Sequence, residues 1–231
     1  RPMHRLVHGV LAALDGEFLD QSRCYFGGGT RIVMALDEYR ESADIDFLCS
    51  DRAGYRALRS TVSERSLGRI ARGKLVLARE VVADRYGIRT VLDTEGRKLK
   101  FEIVLEGRIE LAGAADAALG IPALGVESCF AEKFLANADR WGDEVFLNRD
   151  IIDLAYMAAR WDAEARMAGR RTALAAYGRA IDVSVKRAAT KLLENAGYRR
   201  RCASSLAITD TRTLGAGLRL LAASRKAGVQ T

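Results

Sequence analysis

The sequence predicts an α/β protein of the α+β kind, with a mixed sheet flanked by helices in an N-terminal domain and an α-helical C-terminal domain. Three observations predict it. A short apolar segment runs into three glycines, a later stretch rich in Val, Ile and Leu is typical of a strand meander, and the remainder shows helical periodicity. Gly, Ala and Pro122 mark the junction, so we expect domains at 1–115 and 116–231.

The elements of the N-terminal domain follow in order from periodicity and punctuation. Apolar residues recur at helical spacing over residues 3–20, which predicts a first helix. The segment RCYF predicts a short strand, TRIVMALDEY a helix that begins at Gly29 or Thr30, and DIDFLCS a buried strand. DRAGYRALRSTVSERS predicts a surface helix, and residues 74–111 predict about three strands. Beyond the junction we expect helices throughout.

Composition and cysteine usage exclude several classes of protein. With 49% hydrophobic residues in 231, the chain can build a sizeable core. No apolar run approaches the roughly 20 residues that a membrane helix needs, and an acid interrupts the apolar N-terminal stretch. We therefore expect a cytoplasmic protein without a membrane partner. The four cysteines form no CxxC pair, which argues against a zinc site and a disulfide framework.

Positive charge is concentrated near the C-terminus. Residues 181–231 contain 10 basic and 3 acidic side chains, whereas residues 1–180 contain 27 of each, so the net charge of +7 arises from the last part of the chain. This asymmetry predicts a polyanionic partner, although a solvated basic helix surface would give the same count. The candidate contacts with backbone phosphates are Lys186, Arg187, Lys191, Arg199, Arg200 and Arg201. Tyr198, beside them in the sequence, could stack on an unpaired base.

The glycine turn is a candidate phosphate site. A strand that runs through Gly28, Gly29 and Thr30 into a helix presents free amides and a hydroxyl at the positive end of that helix. A P-loop would need GK before Ser or Thr, and the dinucleotide fingerprint would need glycine in place of Ile32. A tight strand-to-helix turn without a ligand would use the same residues, so the turn alone does not name a function.

Two aspartates stand one residue apart on the strand that follows. Because side chains alternate along a strand, Asp44 and Asp46 should project together while Ile45 faces the core. Two carboxylates on one face repel each other unless a cation lies between them, and magnesium, or manganese in its place, suits oxygen ligands. Arg40 and Ser42, just before the pair, could hold the loop or contact phosphate. The alternative is a strand end with two solvated aspartates.

A third acid could complete the metal site. Alternation in RKLKFEIVL puts Lys98, Lys100 and Glu102 on one face. Glu102 is the only acid in this segment, so it is the candidate third carboxylate of a two-metal arrangement for phosphoryl transfer. An exposed strand with a solvated Lys-Lys-Glu face is the alternative.

Taken together, these motifs resemble a known family. The glycines with Thr30 and the later segment RESADIDF match the pattern of the DNA polymerase β superfamily of nucleotidyltransferases, RxSxDhDh with h apolar, and thirteen residues separate Thr30 from Asp44. A helical Lys133 and the later segment RDIIDL, with Asp150, are similar to the AbiEii/AbiGii toxins of type IV toxin–antitoxin systems. The matches extend from Phe26 to Met157. The third acid of that family is often an aspartate, where this sequence has Glu102.

The resemblance implies a nucleotidyltransferase-fold domain over 1–115 and an enzyme that uses Mg²⁺ to transfer a nucleoside monophosphate from an NTP to a hydroxyl. It further implies RNA, in particular the tRNA 3′ end, as acceptor, and a separately encoded antitoxin. Lys133 could reach the triphosphate, and Asp150 could orient Lys133, meet a substrate hydroxyl or pair with Arg149. Alternatives are a small-molecule acceptor such as an aminoglycoside, a protein side chain, or a non-catalytic nucleotide- or RNA-binding module.

Overall fold

The computed structural model describes residues 1–223 and divides into two compact units. The first unit contains residues 1–34 and 42–128, and the second contains residues 35–41 and those from 129 onward. The α/β fold class with a helical C-terminal part is confirmed. The division falls after residue 128 rather than after residue 115, because two strands between these positions complete the sheet of the first unit.

The first unit is built on one mixed sheet. Its order is β3-β5-β6-β2-β1-β8-β7, with β4 paired to β5. Two pairs, β2 with β6 and β1 with β8, are parallel, and the other pairs are antiparallel. The strands are β1 Cys24–Phe26, β2 Ile45–Cys49, β3 Val76–Leu77, β4 Val82–Ala83, β5 Gly87–Thr94, β6 Arg97–Leu105, β7 Gly113–Asp116 and β8 Ile121–Leu124.

Four α-helices belong to the sequence of the first unit before its third strand. The first two, α1 and α2, replace the single helix that was expected over residues 3–20. The break occurs because the Asp15 side chain accepts a hydrogen bond from the amide of Phe18 and caps a new helix. The helix after the glycines ends early, since Asp37 and Glu38 take positive φ angles of 57° and 51°. The helices are α1 Pro2–Ala12, α2 Gly16–Gln21, α3 Gly28–Ala35 and α4 Arg52–Thr61.

The core of the first unit lies on one face of the sheet. Ile45 and Phe47 of β2 are fully buried, as alternation predicted, and the ring of Phe47 contacts those of Phe26 and Phe101. Tyr55 and Leu58 of α4 belong to the same cluster. Each such side chain stabilises the fold by about 1.5–3 kcal/mol when fully buried. The burial fixes the register of β2 and so directs Asp46 to the other face.

The strands β7 and β8 lie in the Ala- and Gly-rich stretch 112–125, which the sequence indicated as the junction between the domains. Their Ala- and Gly-rich sequence has little of the β-branched character that predicts a strand. Backbone pairing decides instead, with Ala123 of β8 opposite Phe26 of β1. A Cβ at Gly113 would lie 2.4 Å from the carbonyl oxygen of Ala123, so β7 needs glycine there.

The second unit is helical. Every residue of α6 from Asp150 to Ala158 is buried, and a Cβ at Gly217 of α10 would lie 1.9 Å from the carbonyl oxygen of Ala155. Among residues 1–223, no helix is both long and apolar enough to cross a membrane. The helices are α5 Val126–Arg140, α6 Arg149–Arg160, α7 Ala163–Tyr177, α8 Ala180–Glu194, α9 Ala196–Ser205 and α10 Thr211–Ala223.

Candidate active site

The glycine turn and the aspartate strand form one site. Gly28 has a φ of +66°, and a Cβ built on it would lie 2.5 Å from Asp46 Oδ2 and 2.9 Å from Asp46 Cβ. The amide of Gly27 also donates to the Asp46 carbonyl oxygen at 2.8 Å. No side chain fits between turn and carboxylate at this position, so the absence of a Cβ at Gly28 is what brings the helix start against Asp46.

The start of α3 is suited to an anion. The first backbone bond back into the turn runs from Arg31 N to Gly27 O at 3.4 Å. The amides of Gly28, Gly29 and Thr30 therefore have no intrahelical acceptor, and they stand at the positive end of the helix dipole. The Thr30 hydroxyl is buried and lies 2.8 Å from that of Ser42. This hydrogen bond ties the glycine turn to the residues that lead into Asp44.

Glu102 stands level with Asp46 on the neighbouring parallel strand. Its carboxylate accepts from Arg89 Nε at 2.7 Å and from Lys100 Nζ at 2.5 Å. Burial acts to raise the pKa of Glu102, but the hydrogen bonds from Lys100 and Arg89 outweigh it, so the pKa lies below its ordinary value. Glu102 is thus an ionised carboxylate already held by two cations.

Lys100 connects this ion pair with the aspartates. Burial acts to lower the pKa of Lys100, yet the hydrogen bond to Glu102 and then the charges of Asp46 and Asp44 raise it above its usual value. The ammonium group therefore lies in the field of both aspartates. Lys98, predicted on the same face, is exposed and lines an adjoining groove with Lys100 and Arg89.

The donor set fits a cation held by two carboxylates better than one held by three. Mg²⁺ commonly takes one or two carboxylates together with substrate phosphates, and Asp44 and Asp46 supply such a pair. Across residues 1–223, no group of three or more His, Cys, Asp or Glu side chains is arranged to hold a metal ion. The carboxylate of Glu102 accepts hydrogen bonds from Arg89 and Lys100 in this structure, so its place as a third metal ligand stays a prediction.

A buried ionic cluster occupies the second unit. Lys133 Nζ lies 2.9 Å from Asp150 Oδ1 and 2.7 Å from Asp153 Oδ2, and Arg140 binds both oxygens of Asp150. The contact between Lys133 and Asp150 agrees with one of the three predicted roles of Asp150, which is to orient Lys133. The Arg149 guanidinium lies over the Phe146 ring instead of pairing with Asp150.

Arg40 belongs to this cluster. Its Nε and Nη2 donate to the two oxygens of Asp153 at 2.7 and 2.9 Å, its Nη1 donates to Glu41 O, and the residue is only 3% exposed. Tyr39 donates to Asp153 at 2.5 Å. The predicted contact of Arg40 with phosphate is thus replaced by a bidentate ion pair, because the guanidinium is buried with its donors engaged. Arg40 is therefore left out of the residues that we propose to bind the nucleotide.

The basic C-terminal residues are more engaged than their sequence suggests. Lys191 and Arg201 both pair with Glu144, and Arg199 donates to the carbonyl oxygens of Leu192 and Leu193 at the end of α8. Arg187 lies over the ring of Trp141.

Lys186 and Arg200 are exposed and make no ion pair with the described residues. Stacking of a base on Tyr198 is wrong, because this side chain is 6% exposed and its hydroxyl donates to Asn148. Arg225 and Lys226, which contribute to the basic excess, lie outside the described residues.

Three residues of these clusters were missed by sequence reasoning: Tyr39, Arg89 and Arg140. Arg89 lies opposite Glu102 only through the register of the β5–β6 hairpin, in which Thr94 pairs with Arg97. The tight turn at Glu95-Gly96 could have predicted that register. For Tyr39 the sequence offers no comparable signal, because its partner Asp153 is 114 residues away.

The arrangement has relatives among solved structures. A crystal structure of a candidate nucleotidyltransferase from H. pylori matches with a TM-score of 0.52 at 15% identity, over 96% of this chain and 93% of that chain. The crystal structure of JHP933 from Helicobacter pylori matches with a TM-score of 0.50 at 14% identity, over 96% and 90%. At these identities the likeness shows a shared fold alone. The chain matches none of the curated proteins.

The particular family follows from the sequence itself. The family model described as "Nucleotidyl transferase AbiEii toxin, Type IV TA system" matches residues 10–211. The chain belongs to this AbiEii family, and the prediction of a nucleotidyltransferase in a toxin–antitoxin context is confirmed.

Proposed function

We propose that this protein transfers a nucleoside monophosphate from an NTP to a hydroxyl of RNA, with the tRNA 3′ end as acceptor, in a reaction that requires Mg²⁺. The observation that carries the proposal is the contact of Gly28 with Asp46. A Cβ at Gly28 would stand 2.5 Å from the carboxylate oxygen, so a phosphate at the helix start lies beside the candidate metal ligands.

The chain supplies mostly positioning. The amides of Gly28 and Gly29, with Thr30, hold the triphosphate, and Ser42 fixes Thr30 through the 2.8 Å contact of their hydroxyls. The acceptor oxygen bonds to the α-phosphorus, the bond to the β-phosphate oxygen breaks, pyrophosphate leaves, and the hydroxyl proton passes to solvent. Such chemistry needs orientation and charge stabilisation more than a nucleophilic side chain.

Asp44 and Asp46 are the residues that would hold Mg²⁺, with Mn²⁺ as a substitute. The bound ion would supply neutralisation of the charge that develops on the phosphates. Glu102 keeps Lys100 beside the aspartates, which moderates the repulsion between the two carboxylates when the site holds no nucleotide. We therefore place Glu102 in a positioning role.

Family membership supports a biological setting for this reaction. The transfer would inhibit growth by blocking RNA, and a separately encoded antitoxin would counter it. Lys133 and Asp150 remain predicted functional residues. They pair with each other, Lys133 also pairs with Asp153, and Asp150 also pairs with Arg140.

The proposal is tested by incubating the protein with MgCl₂, total RNA and each of the four α-labelled NTPs in turn. We expect label on tRNA-sized RNA with at least one NTP, and none with Asp44→Asn/Asp46→Asn or with excess EDTA. The control variant is Asp37→Asn, which removes a highly exposed carboxylate that pairs with Arg160. Label on a small molecule or protein with RNA unlabelled would refute the RNA acceptor, and label that persists in the double variant would refute the site.

A further inference from the structure

A second feature of the first unit has no part in the proposed chemistry. It is a cleft of about 630 Å³ whose walls are unusually rich in arginine. Arg52, Arg56 and Arg59 are spaced i, i+4 and i+7 on α4, so they share one face of that helix. The lining residues are Arg52, Tyr55, Arg56, Arg59, Arg85, Tyr86, Leu105 and Gly107.

The positive charge of this cleft is not balanced locally. Its four arginines are exposed, and none makes a salt bridge with any residue in the described range 1–223. The nearby carboxylates are engaged elsewhere. Asp51 accepts from the amides of Ala53 and Gly54, and Asp84 accepts from two amides and from Arg89. Four like charges around one cavity favour a polyanionic ligand.

An aromatic side chain stands at the edge of the same cleft. Tyr86 is 58% exposed, and the Arg85 guanidinium lies 4.6 Å from the centroid of its ring. The turn that carries both residues is held against α4, because the hydroxyl of Tyr55 on that helix donates to the Asp84 carbonyl oxygen at 2.7 Å. Cations for phosphates beside an exposed ring for a base are the combination by which proteins bind single-stranded RNA.

The cleft lies away from the aspartates. Leu105 pairs with Cys49 at the carboxyl end of β2, three residues beyond Asp46, which is about 10 Å along a strand. α4 packs on the face of β2 that carries Phe47, whereas Asp46 is on the other face. An RNA strand can reach from one place to the other, since about six stacked nucleotides at 3.4 Å each span 20 Å.

We propose that the cleft formed by Arg52, Arg56, Arg59, Arg85 and Tyr86 binds the RNA substrate at a distance from its reacting end, with the arginines on backbone phosphates and Tyr86 against an unpaired base. The identity of that RNA as the acceptor rests on the proposed function. Binding itself does not, and it can be measured without nucleotide.

The test compares two charge-matched double variants of the full chain, Arg52→Gln/Arg56→Gln in the cleft and Arg171→Gln/Arg179→Gln at two exposed arginines that belong to no candidate site. Affinity for fluorescent tRNA is measured by anisotropy between 50 and 300 mM KCl. We expect the first variant to bind about tenfold more weakly at 150 mM and its log–log salt slope to fall by about 1.4, since each single-strand phosphate contact contributes about 0.7. The second variant should bind within twofold of wild type.

Two further measurements separate the possible failures. Tyr86→Leu should weaken binding of single-stranded RNA but leave binding of heparin, a polyanion without bases, unchanged. In the labelling assay, Arg52→Gln/Arg56→Gln should raise KM for RNA with kcat unchanged. If no label transfers but tRNA binding falls as expected, the proposed function fails and the cleft stands.

The cleft proposal is overturned if Arg52→Gln/Arg56→Gln binds tRNA like wild type, or if it loses binding only to phosphatidylserine vesicles or to an acidic protein such as α-lactalbumin. It is also overturned if Arg171→Gln/Arg179→Gln weakens tRNA binding as much as the cleft variant does.

Discussion

Gly28 shows how one missing Cβ sets the geometry of the site. Its φ of +66° is unfavourable for other residues, and the Cβ position is filled by the carboxylate of Asp46. We expect Gly28→Ala to lower kcat/KM for nucleotidyl transfer by about a hundredfold or more, because an ångström-scale displacement of reacting groups costs that much. The measurement is the initial rate of label transfer.

Gly96→Ala is the matched control for this change. Gly96 has a φ of +75°, but a Cβ there has open space around it. Both substitutions carry the backbone penalty of about 1–2 kcal/mol, so both should lower the midpoint of thermal unfolding. Equal losses of activity in the two variants would show that backbone strain, and not the contact with Asp46, explains the effect.

Glu102 and Asp46 stand level on adjacent strands, yet we expect them to respond differently to loss of charge. Asp46→Asn removes a proposed metal ligand. Because a bound metal ion stabilises the transition state by several kcal/mol, we expect a loss of more than a hundredfold in kcat/KM. Glu102→Gln keeps an acceptor for Lys100 and Arg89 and should lose less than about tenfold. Equal losses, together with a raised Mg²⁺ requirement in both variants, would make Glu102 a metal ligand after all.

At the scale of elements, α3 and β2 depend on each other through the hydroxyls of Thr30 and Ser42. We expect Thr30→Val and Ser42→Ala each to raise KM for the NTP. The double variant should be no worse than the worse single one, because residues in one hydrogen bond are not additive. Ser60→Ala, which removes a hydroxyl bonded only within an exposed turn of α4, is the control. Additive losses would mean that the two hydroxyls act separately.

The elements around the glycines could be predicted because their signals are local. Alternation in β2 identifies Ile45 and Phe47 as core and Asp46 as the opposite face, and this is what the structure shows. β7 and β8 could not be predicted, since alanine and glycine carry little strand preference and the pairing partner Phe26 lies far away in sequence. Predicting that Arg89 contacts Glu102 would have required the register of the β5–β6 hairpin. Predicting the partner of Arg40 was not possible, because Asp153 lies 113 residues further along the chain.

At the scale of the whole molecule, the sequence encodes two units with different kinds of stability. The first unit depends on an apolar sheet face, whereas the second buries Lys133 and Arg40 with Asp150 and Asp153. A buried ion pair is costly to break, because removing one partner leaves the other charge without compensation. Both tryptophans, Trp141 and Trp161, belong to the second unit, so their fluorescence reports on its unfolding separately.

The buried aspartates predict how that unfolding depends on pH. Burial acts to raise the pKa of both aspartates. The charges of Arg40 and Lys133 nevertheless hold the pKa of Asp153 below its ordinary value. Lys133 and Arg140 do the same for the pKa of Asp150. A carboxyl with a lower pKa when folded contributes stability above its unfolded pKa of about 3.9 and loses it as pH falls further.

We therefore expect Asp153→Asn to lower the free energy of unfolding of the second unit by about 3–5 kcal/mol at pH 7. Because the wild-type contribution is lost on protonation, the gap between the two proteins should stay constant from pH 7 to about 4 and shrink below it. Asp37→Asn, at a highly exposed pair with Arg160, should change stability by less than about 1 kcal/mol at every pH. Urea titrations followed by tryptophan fluorescence provide the measurement. A gap that instead widens as the pH falls from 7 towards 4 would show that Asp153 takes up a proton more readily in the folded protein than in the unfolded chain.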